Sequence, residues 1–265
     1  MDDNGRVISF VFSGRLGNLF YEICSIFEYC KRYGISYDSI VLPKTFPKYN
    51  GQHFRFEPVL GKIFDANSIL SLNESFEMFK NIESSFVDGE EWYRLFKRIG
   101  AEVVTKDKGN ELADNVYFCR CPSCYNGKDK DVVKQVCVNY KEYGRLRERY
   151  DFSHSVAIHV RRGDLLSYPE THPWRKNVYT SQQINSIIEH EYFLDKSMRL
   201  FVFGEDPYWN KQNIDFDNVV FVDGNKPYED LYLMSMCSKI ISNPSSFNVA
   251  ACRIKWVMED DGQFH

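Results

Sequence analysis

Short runs of apolar, β-branched and aromatic residues punctuate this chain, and apolar positions recur at helical spacing between many of them. The first run, Val7-Ile8-Ser9-Phe10-Val11-Phe12, predicts a strand. It leads into Ser13-Gly14-Arg15-Leu16-Gly17-Asn18, after which Leu19, Ile23, Ile26, Phe27 and Cys30 share one helical face that ends before Gly34. Strand, glycine turn and helix make the opening of a Rossmann-like unit. Glycines there let the backbone turn tightly or approach a ligand, and the helix start offers free N–H groups. A tight turn also needs glycine with no ligand present, so the turn alone does not decide. Residues 39 to 42 predict a second strand, closed by Pro43. From there to about residue 115 the pattern is irregular, with Pro47, Pro58 and short amphipathic pieces around Phe76 and Trp92. Residues 115 to 119 predict a strand. Residues 131 to 150 read as one long helix, its basic end (Lys141, Arg145, Arg147, Arg149) suited to a helix C-terminus.

Beyond residue 155 the pattern becomes regular. Strands are predicted over 155–160, 199–203, 219–222 and 239–242, and helices over 181–190, after Pro207, over 229–237 and after Phe247. Strands alternating with helices at this interval imply βα units on a parallel sheet. The turns that follow the strands then share one sheet edge, which gathers Arg161, Arg162, Asp164, Glu205, Asp206, Asp223, Ser245 and Ser246.

A chain of 265 residues can bury a substantial core as one large or two small domains, by the rule of roughly 150 residues per domain. A net charge of -4 and a pI near 5.9 exclude a general nucleic-acid binder. Met1-Asp2-Asp3-Asn4-Gly5-Arg6 is acidic where a signal peptide is basic, and no run approaches the ~20 apolar residues of a membrane span. The expected location is the cytoplasm. Of eight cysteines, Cys119, Cys121, Cys124 and Cys137 raise the idea of zinc, but the paired CxxC spacing of a ribbon or finger is missing. Free thiols on a strand and turn are expected instead.

The most informative stretch is Ser155-Val156-Ala157-Ile158-His159-Val160-Arg161-Arg162-Gly163-Asp164: a buried strand ending abruptly in charge. In open α/β sheets ligands bind beyond the carboxyl ends of the strands, so paired guanidinium groups there point to a phosphate or pyrophosphate. The competing reading is a surface salt bridge to Asp164. Glu205 or Asp223 could accept from a guanine amide edge, and Ser245 and Ser246 could bring backbone N–H groups to a phosphate. Equally, either serine makes a good helix N-cap, and Asp223-Gly224 is a common turn. His159 invites a role as general base but lies inside an apolar strand, where a core histidine orienting the adjoining loop is the better expectation. His172, beside Pro173-Trp174, is better placed for substrate contact.

His159-Val160-Arg161-Arg162-Gly163-Asp164 resembles the HxRRxD motif of the α-1,2-fucosyltransferases, glycosyltransferase family 11. Gly14-Arg15-Leu16-Gly17-Asn18 is similar to that family's GGLGNQ turn. Asp230-Leu231-Tyr232-Leu233-Met234-Ser235-Met236-Cys237, continuing through Asn243-Pro244-Ser245-Ser246-Phe247, is similar to its DLxLMSxC and NSSFS block. The resemblance implies an α/β, GT-B-like fold, with two Rossmann-like domains facing a cleft: residues 1–150 on the acceptor side and residues 151–265 binding the GDP-sugar. It implies inverting transfer of L-fucose from GDP-fucose to a glycan acceptor, α-1,2 to a galactoside, with no cofactor or metal. In that picture Arg161 grips the diphosphate, and Arg162 and Asp164 brace the loop or reach the nucleotide. Asn18, with Arg15 and Gly17, faces the sugar, while Asn243, Ser245, Ser246 and Phe247 line the phosphates and base. The chain departs from the pattern at Leu19 and at Asn248-Val249-Ala250-Ala251-Cys252. The block after Phe247 keeps open a member that binds nucleotide or glycan without turnover; the alternative among enzymes is a transferase of another nucleotide sugar.

Overall fold

The computed structural model describes residues 7–10, 16–34, 42–43, 54–55, 63–64, 86–87, 102–104, 115–118, 128–136, 144–192, 197–243 and 245–260. The chain divides into two compact units, Met1–Asn139 and Tyr140–His265. No helix among the described residues is long and apolar enough to cross a membrane.

In the first unit β1 (Val7–Phe10) leads to α1 (Leu16–Tyr33). The helix begins earlier than the glycine pattern predicts, so Gly17 and Asn18 belong to its first turn rather than to the turn before it. Burial explains the difference: Leu16 starts the stripe Leu16, Phe20, Ile23, Phe27 and Cys30, all buried at helical spacing. Gly34, at φ 68°, ends the helix in the left-handed conformation glycine adopts most easily. Short strands follow: β2 (Leu42–Pro43), β3 (Phe54–Arg55), β4 (Ile63–Phe64), β5 (Phe86–Val87), β6 (Glu102–Val104) and β7 (Asn115–Phe118). β1, β7 and β6 form a parallel sheet in that order, β2 pairs with β5 in parallel, and β3 pairs with β4 antiparallel. α2 (Lys130–Val136) is tied to α1, since Glu28 accepts from the Asp129 N–H at 2.7 Å and Lys31 bridges Asp129 and Asp131.

The helix expected over residues 131–150 is two pieces, α2 and α3 (Gly144–Arg147), which fall in different units. Gly144, weak inside a helix by about 1 kcal/mol, stands at the start of the second piece. Three-residue turns, Arg149 N–H to the Leu146 carbonyl and Tyr150 N–H to the Arg147 carbonyl, close it.

The second unit follows the predicted alternation closely. Its elements are β8 (Ser155–Val160), two 3-10 turns (Gly163–Ser167 and Pro173–Asn177), α4 (Ser181–Tyr192), β9 (Arg199–Gly204), α5 (Pro207–Asn213), β10 (Val219–Phe221), α6 (Pro227–Met236), β11 (Lys239–Ile240) and α7 (Ser246–Asp260). The four strands are parallel, in the order β10-β9-β8-β11. Every residue of β8 is buried, which is why its sequence reads as a continuous apolar run rather than an alternating one. One side of the sheet packs Val156, Ile158, Val160, Leu200, Val202 and Ile241 against Ile184 and Ile188 of α4.

Candidate functional site

The chain winds from β8 outward through β9 to β10, then crosses back to place β11 on the other side of β8. Winding therefore reverses between β8 and β11. In such sheets this reversal opens a crevice at the carboxyl ends of the two strands, and ligands bind there. Arg161 leaves β8 at this edge, half-buried with its Nε inside the protein.

The ladder between β11 and β8 is short, with Lys239 opposite Val156 and Ile240 opposite Ala157. Past it the Ile241 N–H reaches the Ala157 carbonyl at 2.8 Å, and the Asn243 side-chain amide reaches the His159 carbonyl at 2.6 Å. The His159 ring stacks on Phe247 at 4.5 Å between centroids and 25° between planes. With 6% exposure, His159 is the core histidine that its strand predicts. Ser245 precedes α7 and its carbonyl accepts the Val249 N–H at 3.1 Å, yet its Oγ caps nothing. Ser245 Oγ and Asn243 Oδ1 are both buried without a hydrogen-bond partner among the described residues, their residues 6% and 8% exposed. A buried polar atom left unmade costs about 1–3 kcal/mol, so two of them beside a helix start at the winding reversal mark this corner as the candidate site for a polar ligand. The α7 N-terminus adds backbone N–H groups and the positive end of the helix dipole, both suited to an anion.

Arg162 is committed to the protein. Its guanidinium lies 3.8 Å from the centroid of the Trp209 ring, donates to the Tyr179 carbonyl at 3.1 Å, and has Asp206 at 4.0 Å. Burial holds its pKa below the usual guanidinium value; Asp206 opposes that shift and Arg175 adds to it. The Arg162 N–H donates to Glu205 Oε2 at 3.2 Å, and the Glu205 side chain lies over Gly163, where a Cβ would meet Oε2 at 2.7 Å. Glu205 thus holds the loop that follows the arginines. Arg175 secures the same loop by donating to the Leu165 carbonyl at 3.2 Å, and Tyr168 stacks on His172 at 4.5 Å.

The structure accordingly brings together His159, Asn243, Ser245 and Phe247 at one corner, with Ser246 opening α7, and joins Arg162 to Glu205 at the next. Asp223, beyond β10, is half-exposed and paired with Lys211 at 3.4 Å. Gly17 and Asn18 lie in the first unit. Arg15, the Asp164 and Trp174 side chains, the pieces around Phe76 and Trp92, and Cys119, Cys121, Cys124 and Cys137 lie outside the described residues. Of the described cysteines, Cys24, Cys30 and Cys237 are buried and Cys252 is exposed.

Two contributors escaped the sequence reading. Trp209 carries the Arg162 guanidinium, and the available signal was an aromatic one turn after a strand exit rich in charge. Asp230, read from the sequence only as the start of the DLxLMSxC resemblance, is the other. Its carboxylate accepts from the Asn225 amide at 3.0 Å, and Asn225 accepts in turn from Arg149 at 3.0 Å. Burial, then the Glu229 and Asp223 charges, push the Asp230 pKa up to about 6, against the Asn225 hydrogen bond. A raised carboxyl pKa means that the folded state binds the proton more tightly than the unfolded chain. This contribution to stability is therefore full below pH ~4 and lost as pH rises to about 6. Asp230→Asn is expected to stabilise the protein at pH 7 by up to about 2 kcal/mol and to flatten that slope. Denaturant midpoints at pH 4.5 and pH 7 measure both; equal shifts at the two pH values would disprove it.

Residues 129–254 match the model of glycosyl transferase family 11. Over that stretch the chain is similar to glycosyl transferase family 11. The matched stretch includes α3, the whole parallel sheet of the second unit and most of α7. By sequence, no curated protein matches the chain. Among solved structures it is similar to POFUT1 in complex with GDP-fucose, at 12% identity and TM-score 0.53 over 96% of this chain and 95% of that one. It is also similar to the fucosyltransferase NodZ from Bradyrhizobium, at 14% identity and TM-score 0.51 over 93% and 91%. At these identities the likeness concerns the fold, a parallel sheet flanked by helices.

Proposed function

We propose that this chain is a fucosyltransferase of glycosyl transferase family 11 that moves L-fucose from GDP-fucose to a glycan acceptor, with inversion, α-1,2 to a galactoside. In this reading the domain comprising residues 151–265 holds the donor, and residues 1–150 form the acceptor side of a GT-B arrangement. The protein works in the cytoplasm without a metal. The observation that carries the reading is the corner between β8 and β11, where buried Asn243 Oδ1 and Ser245 Oγ lack partners among the described residues beside the start of α7. Arg161 leaves β8 on the same sheet edge. The family match and the GDP-fucose and GDP bound by structurally similar POFUT1 support the choice of donor.

The acceptor hydroxyl attacks C1 of fucose while the bond from C1 to the β-phosphate oxygen breaks, and GDP departs with the bonding electrons. The acceptor proton passes to a base or to water. Arg161, charged at any working pH, offsets the charge growing on the leaving diphosphate. The α7 N–H groups and Ser245 hydroxyl hold the phosphates still while it does so. Asn18 and Arg15 contribute from the acceptor side, and Asp164 braces the arginine loop.

Incubation with GDP-fucose and a panel of β-galactosides should release GDP and add one deoxyhexose to an acceptor, detected by mass. Titration calorimetry with GDP, UDP and ADP separates the donors, and tight UDP binding with none for GDP would refute this assignment. GDP binding without product on any acceptor would favour the non-catalytic alternative.

A further inference from the structure

We infer that Asn248, one of the residues at which the sequence departs from the family pattern, is a positioning residue for the nucleotide-phosphate subsite. The inference rests on the reading of this corner as the GDP-fucose site. Asn248 is 1% exposed, so it does not touch a ligand at the surface. Its amide Nδ2 donates to the Ile241 carbonyl at 2.7 Å. Ile241 is the first residue past β11, still hydrogen-bonded to β8 through its N–H, and its carbonyl points away into the connection to α7. Asn248, in the first turn of α7, therefore ties the end of the strand to the start of the helix. The span it closes contains Asn243 and Ser245, whose buried oxygens have no partner among the described residues.

Besides the Val249 N–H on the Ser245 carbonyl, three bonds fix that span. Asn243 anchors it to β8 through the His159 carbonyl at 2.6 Å, and the Ser245 N–H closes a tight turn on the Asn243 carbonyl at 2.8 Å. Asn248 supplies the third. Remove its amide and the Ile241 carbonyl loses its partner in a buried position, so the span shifts to find another. The shift misplaces Ser245 Oγ and Asn243 Oδ1 relative to the phosphates, while the helix itself, held by Ala250, Ala251, Ile254 and Val257 in the core, stays formed.

Asn248→Ser, the milder variant, and Asn248→Ala are compared with wild type in the full chain by GDP titration and thermal melting, each also made in a Ser245→Ala background. Both are expected to weaken GDP binding at least tenfold. In the Ser245→Ala background the same changes should cost at least threefold less, because Asn248 acts through the span that Ser245 belongs to. A lowered melting temperature with unchanged GDP affinity would make Asn248 purely structural and overturn the inference, as would full additivity. Wild-type protein that binds no GDP would instead overturn the donor assignment, and this inference with it.

Discussion

Arg161→Ala is expected to lower the turnover of GDP-fucose at least ~100-fold while the protein stays folded. The magnitude follows from what the guanidinium does in the proposed reaction. When the bond to C1 breaks, negative charge accumulates on the diphosphate, and a preorganised cation stabilises that charge without reorganising at the moment of reaction. Alanine leaves the charge to water and to the α7 dipole alone. Arg161→Lys keeps a charge but loses the planar fork that can hold two phosphate oxygens, so its rate should fall between the two. Arg162, with its guanidinium on Trp209 and the Tyr179 carbonyl, should behave differently: Arg162→Ala loses packing and a buried hydrogen bond and is expected to lower stability. Initial rates with saturating acceptor, paired with circular-dichroism melts, separate these outcomes. A rate for Arg161→Ala within threefold of wild type would remove the clamp from the mechanism.

The contrast between the arginines shows where sequence reading succeeds and where it stops. An apolar run ending in Arg161-Arg162 is visible as a strand exit because six consecutive buried residues leave an unmistakable composition. That Arg162 is held by the protein depends on Trp209, far along the chain and brought alongside only by the pairing of β8 with β9. Likewise, the alternation of the second unit was legible because each strand and helix there has its own periodic signal. In the first unit most strands span two or three residues, too short for any period to register. The two-piece break between α2 and α3 was hidden because charged residues at helical spacing look alike on one helix or on two. Asn243 and Ser245 were readable as candidates, but their lack of partners is a property of the packed corner.

Gly204→Ala should be the most destabilising single change, by about 3 kcal/mol, or a fall of roughly 6–12 °C in melting temperature. Gly204 ends β9 directly opposite Val160, at φ 156°. A Cβ there would run into the Val160 carbonyl oxygen and lie 3.2 Å from the Asn210 side-chain nitrogen. Backbone is on the receiving side of that clash, and it belongs to the central strand, so relief requires parting β8 from β9 where Arg161 emerges. Gly163→Ala provides the internal comparison. Its Cβ would also be too close, 2.7 Å from Glu205 Oε2, but that atom is the end of an exposed, flexible side chain that can swing away. The cost should be no more than about 1 kcal/mol, mainly the Arg162 N–H bond to Glu205. Denaturant titrations of the two variants side by side test the argument, because it predicts their order from what each Cβ strikes. If Gly163→Ala proved as costly as Gly204→Ala, Glu205 would be held as rigidly as the backbone.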